Sequence, residues 1–214
     1  MVNIQSVRST TPGGYEVNTP GRQLVVFLDR DGVLDATDVF INTVEQFKAA
    51  VYPGAAEAIA RLSNETNARV IITTNQGGID AGKMSEQVNH DIQQATLDVI
   101  EAAGGRLDAL YFCPNGHKFQ VPEGQISGRK PDGGMIVQAA KDFGPGIDLQ
   151  DGYMIGDMTT DIASGKAAYP NITTVLLETG FGGKDGKVDI KPDTVQKDIG
   201  AAVEWIIQRE KSLK

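Results

Sequence analysis

The chain has 214 residues, a formal net charge of −8 and one cysteine, Cys113. That length suits a single α/β domain with a real core, with or without appendages. The acidic balance speaks against a nucleic-acid partner, and a lone cysteine builds neither a disulfide framework nor a multi-cysteine zinc site, which fits a reducing compartment.

Residues 1–22 are polar, Gly/Pro-containing and without an apolar signal core, so they read as an N-terminal extension, loop or short hairpin, ahead of a domain over 23–214. Residues 24–28 form an apolar first strand that runs into Asp29-Arg30-Asp31-Gly32. Pro53-Gly54 opens a helix to about Leu62, with Ala55, Ala58, Ile59 and Leu62 at helical spacing. Residues 69–73 are a β-branched strand, and Ser85 caps a helix reaching about Ala103. A third strand spans 107–112, and a helix over 134–143 stops at Gly144-Pro145. A short strand at 153–155 ends in Gly156-Asp157, another spans 172–177, and a helix over 199–211 closes the chain. Trp205, Ile206 and Ile207 read as core packing of that helix, and the acidic stretch 184–198 as a solvated linker. No run has the length of a membrane helix, and a soluble cytoplasmic protein is expected.

Alternating strands and helices predict a mostly parallel sheet covered on both faces, whose ligand site lies beyond the carboxyl ends of the strands. The polar clusters sit at such ends. Asp29 and Asp31, two apart on extended chain, face one spot, with Arg30 turned elsewhere. Thr73-Thr74-Asn75-Gln76-Gly77-Gly78 follows the second strand.

These parts suit phosphate monoester hydrolysis, which needs charge neutralisation, an aligned nucleophile and a proton for the leaving oxygen. Asp29 suits nucleophilic attack and an aspartyl-phosphate, Asp31 acid–base work, and Thr74 the phosphate oxygens. Lys130, in Gly128-Arg129-Lys130-Pro131, suits neutralisation of the phosphate and the nucleophile. Asp157 and Asp161, four apart where a helix starts, share one face, and with Asp29 they repel one another unless a cation intervenes. An oxygen-only ligand set favours Mg²⁺.

Asp29-Arg30-Asp31-Gly32, the strand ending in Thr74-Asn75-Gln76, Arg129-Lys130-Pro131 and Gly156-Asp157-Met158-Thr159-Thr160-Asp161 resemble the four ordered motifs of the haloacid dehalogenase-like phosphatases. The closer resemblance is to the branch of D-glycero-D-manno-heptose 1,7-bisphosphate phosphatase and histidinol phosphatase, over roughly residues 23–180. It implies a three-layer, Rossmann-like sandwich and Mg²⁺ held by the Asp29 carboxylate, the Asp31 carbonyl and Asp157, with Asp161 in support. It also implies substrate contacts by Asn75, Gln76, Arg129 and, in place of the family's tyrosine, Phe40.

Many relatives bind structural zinc where this chain has Cys113, Asn115, Ile126 and Gly128, so no zinc is expected. Met158 stands where relatives often carry lysine. No large insertion follows the first or second motif, so no separate cap domain is expected, and the loops 35–52 and 113–128 shape access. The implied reaction removes the 7-phosphate of a heptose 1,7-bisphosphate or similar sugar phosphate. Histidinol phosphatase, polynucleotide 3′-phosphatase and a catalytically silent metabolite-binding protein are the rivals. The expected assembly is a monomer or small homo-oligomer, with neither nucleic acid nor membrane as partner.

Three side features complete the reading. Gly180-Phe181-Gly182-Gly183 reads as a flexible surface loop, Cys113 as a packed thiol, and His90 and His117 as surface residues, His117 near Arg129.

Overall fold

The computed structural model describes residues 4–8, 24–37, 40–66, 68–144 and 147–213. Among these residues, seven strands form one sheet in the order β1-β4-β3-β2-β5-β6-β7. They are β1 (Gln5–Arg8), β2 (Val25–Leu28), β3 (Arg69–Asn75), β4 (Ala109–Cys113), β5 (Tyr153–Gly156), β6 (Thr173–Leu177) and β7 (Thr194–Gln196). All neighbours run parallel except β1, which pairs antiparallel with β4. Most of the segment 1–22 lies outside the described residues, but Gln5–Arg8 is a sheet strand and not a loop.

The central strands are buried on both faces, as a doubly covered sheet requires. Every side chain of β2 is buried, and each such apolar side chain stabilises the fold by about 1.5–3 kcal/mol. Alternation along the strand splits the core in two. Val26 and Leu28 face a layer that holds Phe47, Ile59, Ile92 and Val203. Val25 and Phe27 face a layer that holds Met135, Ile136 and Ala139. The first layer is built by α1 (Val44–Ala50), α2 (Ala55–Thr66), α3 (Glu86–Ala102) and α6 (Ile199–Ser212). The second is built by α4 (Gly134–Phe143) and α5 (Thr159–Ala168), with Gly165 of α5 set directly on Met154 of β5. This is the expected three-layer α/β sandwich. No helix among the described residues is long and apolar enough to cross a membrane.

Two local expectations fail. The stretch 35–52 contains α1, capped where Thr43 Oγ1 accepts from the Gln46 amide and Gln46 reaches back to the Asn42 amide. A Thr-x-x-Gln pattern ahead of an apolar run was the overlooked start signal. The stretch 184–198 is fastened and partly folded. It contributes β7, and Asp193 Oδ2 accepts from the Thr174 amide and hydroxyl and from Lys166 Nζ. Three donors on one carboxylate hold to the sheet edge a stretch of low hydrophobicity that is charge-balanced and not acidic, with four lysines to four aspartates.

The chain runs from β2 outward through β3 to β4, then returns to β5 beside β2 and runs outward through β6 to β7. The order therefore reverses between β2 and β5, where a ligand crevice opens at the strands' carboxyl ends. Asp29 ends one of these strands and Asp157 the other.

Candidate active site

Asp29, Asp157 and Asp161 each place a carboxylate oxygen within 4.8 Å of the others, and all three are buried. β2 delivers Asp29, whose amide donates to Ile155 O of β5 at 2.9 Å. Asp157 leaves β5 one residue before the α5 N-cap, and Asp161 lies in the first turn, where its Oδ2 accepts from the Met158 amide at 2.9 Å. The expectation of one shared helix face is therefore right in outcome and wrong in cause. The end of β5, and not a helical repeat, brings Asp157 to Asp161.

One cation answers these acids. Lys130 Nζ lies 2.8 Å from Asp29 Oδ1 and 2.6 Å from Asp161 Oδ1, and donates to Thr73 O at 2.9 Å. Burial pushes the ammonium down, but Asp161 and Asp29 outweigh it and hold Lys130 charged, above its usual range. Its three donors are all engaged by protein oxygens. Asn75 sets its backbone, accepting from the Lys130 amide at 3.0 Å and donating to the Lys130 carbonyl at 3.1 Å. Asn75 thus positions Lys130 through a closed pair of bonds.

A single lysine leaves the cluster short of positive charge. Burial, then repulsion from Asp161, lifts the Asp29 carboxyl well above its ordinary range. Burial lifts Asp157 to about 7, against the pull of the Phe181 amide. Asp157 Oδ1 is buried without a hydrogen-bond partner, a costly state for a carboxylate oxygen. Three converging carboxylates with an orphaned oxygen are the donor set of a hard divalent cation.

Asp31 is built differently. Its Oδ1 accepts from Arg30 Nη2 at 2.6 Å, and its Oδ2 from Thr74 Oγ1 at 3.0 Å and Gln76 Nε2 at 3.1 Å. Burial raises this carboxyl, but Arg30 and the Thr74 hydroxyl prevail and hold it below the usual carboxylate range. Arg30 does not turn away from the site, as its place in the strand had suggested. It is buried behind Asp31, with Nε 3.5 Å from Asp35 Oδ1 and its guanidinium 5.8 Å from the centre of the Phe47 ring. Asp35 itself is fully buried and lifted to about 8 by that burial. Sequence reading missed both Arg30 and Asp35, because their partners come from the turn and from α1.

The loop 178–183 is also part of the site, against the expectation of a free surface loop. Phe181 N donates to Asp157 Oδ2 at 2.7 Å, Gly183 N to Asp157 O at 2.8 Å, and Thr179 Oγ1 to Gly32 O at 2.7 Å. Gly32 (φ +89°) and Gly180 (φ +56°) lie against the Asp157 carboxylate from two sides, where a Cβ on either would overlap it. Left-handed backbone and a missing side chain are both required there, which only glycine supplies without cost.

Above this floor opens a cavity of about 550 Å³. It is lined by Asp29, Asp31, Phe40, Thr74, Asn75, Gln76, Arg129, Lys130 and Asp161, with Asp157 beneath them, so the residues singled out from sequence converge. Met158, His117, Phe181 and Lys187 are also on its wall. Phe40 is 52% exposed at the mouth. Arg129 ties down the loop 113–128, with Nη1 donating to Asn115 O at 2.9 Å and Nη2 3.0 Å from His117 Nε2. Cys113 is fully buried at the end of β4, its thiol pushed up by burial, while Ile126 is exposed and offers no ligand atom.

Comparisons with known proteins agree with this geometry. A family model described as HAD-hydrolase-like matches residues 127–202. The D-glycero-D-manno-heptose-1,7-bisphosphate 7-phosphatase of Thermosynechococcus vestitus is 36% identical over 194 residues, covering 85% of this chain and 94% of that one. A D-glycero-beta-D-manno-heptose-1,7-bisphosphate 7-phosphatase of Haemophilus ducreyi is 35% identical, covering 72% of this chain and 83% of its own. Among solved structures, the D,D-heptose 1,7-bisphosphate phosphatase of B. bronchiseptica, complexed with magnesium and phosphate, superposes with a TM-score of 0.72 at 29% identity, covering 87% of this chain and 99% of that one.

Proposed function

This chain belongs to the haloacid dehalogenase-like hydrolases, as a phosphatase related to the heptose bisphosphate phosphatases, and we propose that it releases the 7-phosphate of a D-glycero-D-manno-heptose 1,7-bisphosphate. The observation that carries the reading is Asp29 at the β2–β5 crevice, its Oδ1 2.8 Å from Lys130 Nζ and its carboxylate beside those of Asp157 and Asp161. We assign the cation site to Mg²⁺, with Asp29, Asp157 and the Asp31 carbonyl as ligands and Asp161 in support. When bound, the ion neutralises the carboxylates and the transferring phosphoryl oxygens.

Asp29 is the nucleophile and becomes an aspartyl-phosphate. Lys130 holds Asp29 in place and offsets its charge. The Thr74 hydroxyl and Gln76 amide fix the Asp31 side chain beside the cavity, which keeps it within reach of the leaving oxygen. Arg30 keeps Asp31 charged in the resting enzyme, which suits it to take a proton from water in the second half-reaction. A phosphate dianion next to it raises its affinity for a proton, which suits the first half. Arg129 and Phe40, at the mouth, contact the sugar.

A phosphate-release panel tests the assignment. It sets heptose 1,7-bisphosphate against histidinol phosphate, simple sugar monophosphates and a 3′-phosphorylated oligonucleotide. The highest kcat/KM is expected for the heptose, with phosphorus NMR locating the lost group at C7. A higher kcat/KM for histidinol phosphate would transfer the assignment to that rival. Stoichiometric zinc in the purified protein would overturn the reading of the 113–128 loop.

A further inference from the structure

The segment from Thr179 to Val188 passes beside the cation site and is fastened along its length. At its start, Thr179 Oγ1 donates to Gly32 O at 2.7 Å, in the turn that follows β2. In its middle, the Phe181 amide donates to Asp157 Oδ2 at 2.7 Å and the Gly183 amide to Asp157 O at 2.8 Å. At its far end, Asp185 Oδ1 accepts from the Thr159 amide and Asp185 Oδ2 from the Thr159 hydroxyl, both at 2.8 Å. The Val188 amide donates to Thr159 Oγ1 at 3.1 Å. This strap therefore ties the turn after Asp31 to the residues that carry and follow Asp157.

Two physical reasons make Asp185 the anchor that matters. The first turn of a helix leaves amide donors without partners, and Met158, at the N-cap of α5, has no side-chain oxygen to offer them. Asp161 takes the Met158 amide, and Asp185, from 26 residues away, takes that of Thr159. The helix dipole also favours a carboxylate there. Second, four of the seven residues 180–186 are glycine, which loses more freedom on ordering than any other residue. Such a segment stays against Asp157 only while its bonds outweigh that loss. With the strap in place, Asp157 Oδ2 is occupied by the Phe181 amide and Oδ1 is left for a cation.

We propose that Asp185 is a positioning residue for the cation site: by fastening the strap to the start of α5, it holds Asp157 with Oδ1 presented to the ion and so sets the affinity for Mg²⁺. The proposal rests on the assignment of that site to Mg²⁺ and on no feature of the sugar. Asp185 does not line the catalytic cavity, so it acts through Thr159, Phe181 and Asp157 and not by contact with the substrate.

The test measures Mg²⁺ binding by calorimetry without substrate, and kcat against Mg²⁺ concentration, in the wild type, Asp185→Ala and Asp185→Asn. Asp185→Ala is expected to weaken Mg²⁺ binding about tenfold, as loss of an outer-shell partner does, with kcat within about twofold of the wild type once Mg²⁺ saturates. Asp185→Asn, whose amide oxygen still accepts from the Thr159 amide, is expected to bind Mg²⁺ within about threefold of the wild type. Asp189→Ala, which removes an exposed carboxylate next to the strap, controls for net charge and is expected to change nothing. An unchanged Mg²⁺ affinity in Asp185→Ala would overturn the proposal even with a lowered melting temperature, since Asp185 would then serve the fold alone. Equal weakening by Asp189→Ala would overturn it too, because the effect would then come from net charge. A wild type that binds no Mg²⁺ would overturn it together with the cation assignment. A wild type that binds Mg²⁺ but releases no phosphate from the heptose would bring down the substrate reading alone, and the calorimetry would still decide the role of Asp185.

Discussion

Two groups of aspartates flank the carboxyl end of β2, and they are built on opposite plans. In front, Asp29 and Asp161 share Lys130, and beside them one Asp157 oxygen has no partner. Behind, Asp31 is surrounded by Arg30, Thr74 and Gln76, with Asp35 sealed in the interior beyond, where its oxygens also lack a hydrogen-bond partner and burial favours its neutral form. The front group faces the cavity and is short of positive charge. The rear group has no opening through which an ion could reach Asp35. Residue type alone therefore says little about role. What separates the cation-binding carboxylates from Asp31, which carries the proton, is whether the missing countercharge must come from solution or is supplied by the fold.

The largest expected effect breaks the front group at its nucleophile. Asp29→Asn keeps size and hydrogen bonding but removes the attacking charge, and phosphate release is expected to fall by more than about 10⁴-fold. Full activity in this variant, with an unchanged melting curve, would show that another group attacks. The contrast with the rear group is drawn by Arg30→Met. Asp31 then loses its countercharge, and because its side chain is 35% exposed the cost is expected to fall below the about 3–5 kcal/mol of breaking a fully buried pair from one side. Urea unfolding measures this loss. A cost below about 1 kcal/mol would mean that Thr74 and Gln76 hold Asp31 without help.

The same contrast explains what was legible in the sequence. Strand ends were readable because a buried parallel strand needs an apolar run, and the polar residues that interrupt it stand out. Asp29, Thr74 and Asp157 were found that way, and the fold with them. Arg30 and Asp35 were hidden, because strand alternation placed Arg30 away from the site. Its actual partners, Asp31 beside it, Asp35 in the turn and Phe47 on α1, are set by tertiary packing. The 178–183 loop was hidden for a similar reason. A Gly-Phe-Gly-Gly run signals freedom to bend, yet here the glycines make room for the Asp157 carboxylate and the Phe181 amide binds it. Asp185, in the supposed linker, accepts from the Thr159 amide at 2.8 Å at the start of α5, a pairing no local pattern announces.

The smallest effect is the most discriminating, because it separates the two groups in one titration. Asp157 is lifted to about 7 and Asp35 to about 8, so both hold a proton more tightly folded than unfolded. Such a group contributes stability that is fully present below the unfolded value near 3.8 and is lost as pH rises through the folded value. Without divalent cation, the melting temperature is therefore expected to fall between about pH 5 and 8, each group contributing at most about 1.4 kcal/mol per pH unit. Added Mg²⁺ competes with protons at the front group only. It is expected to raise the melting temperature more at pH 8 than at pH 5.5, and to flatten the part of the slope that Asp157 and Asp29 contribute. Asp35→Asn is expected to flatten a different part, one that Mg²⁺ leaves untouched. If Mg²⁺ abolished the slope in the wild type altogether, Asp35 would not be titrating in the interior. If it left the slope unchanged, the front carboxylates would not be its ligands, and the distinction between the two groups would collapse.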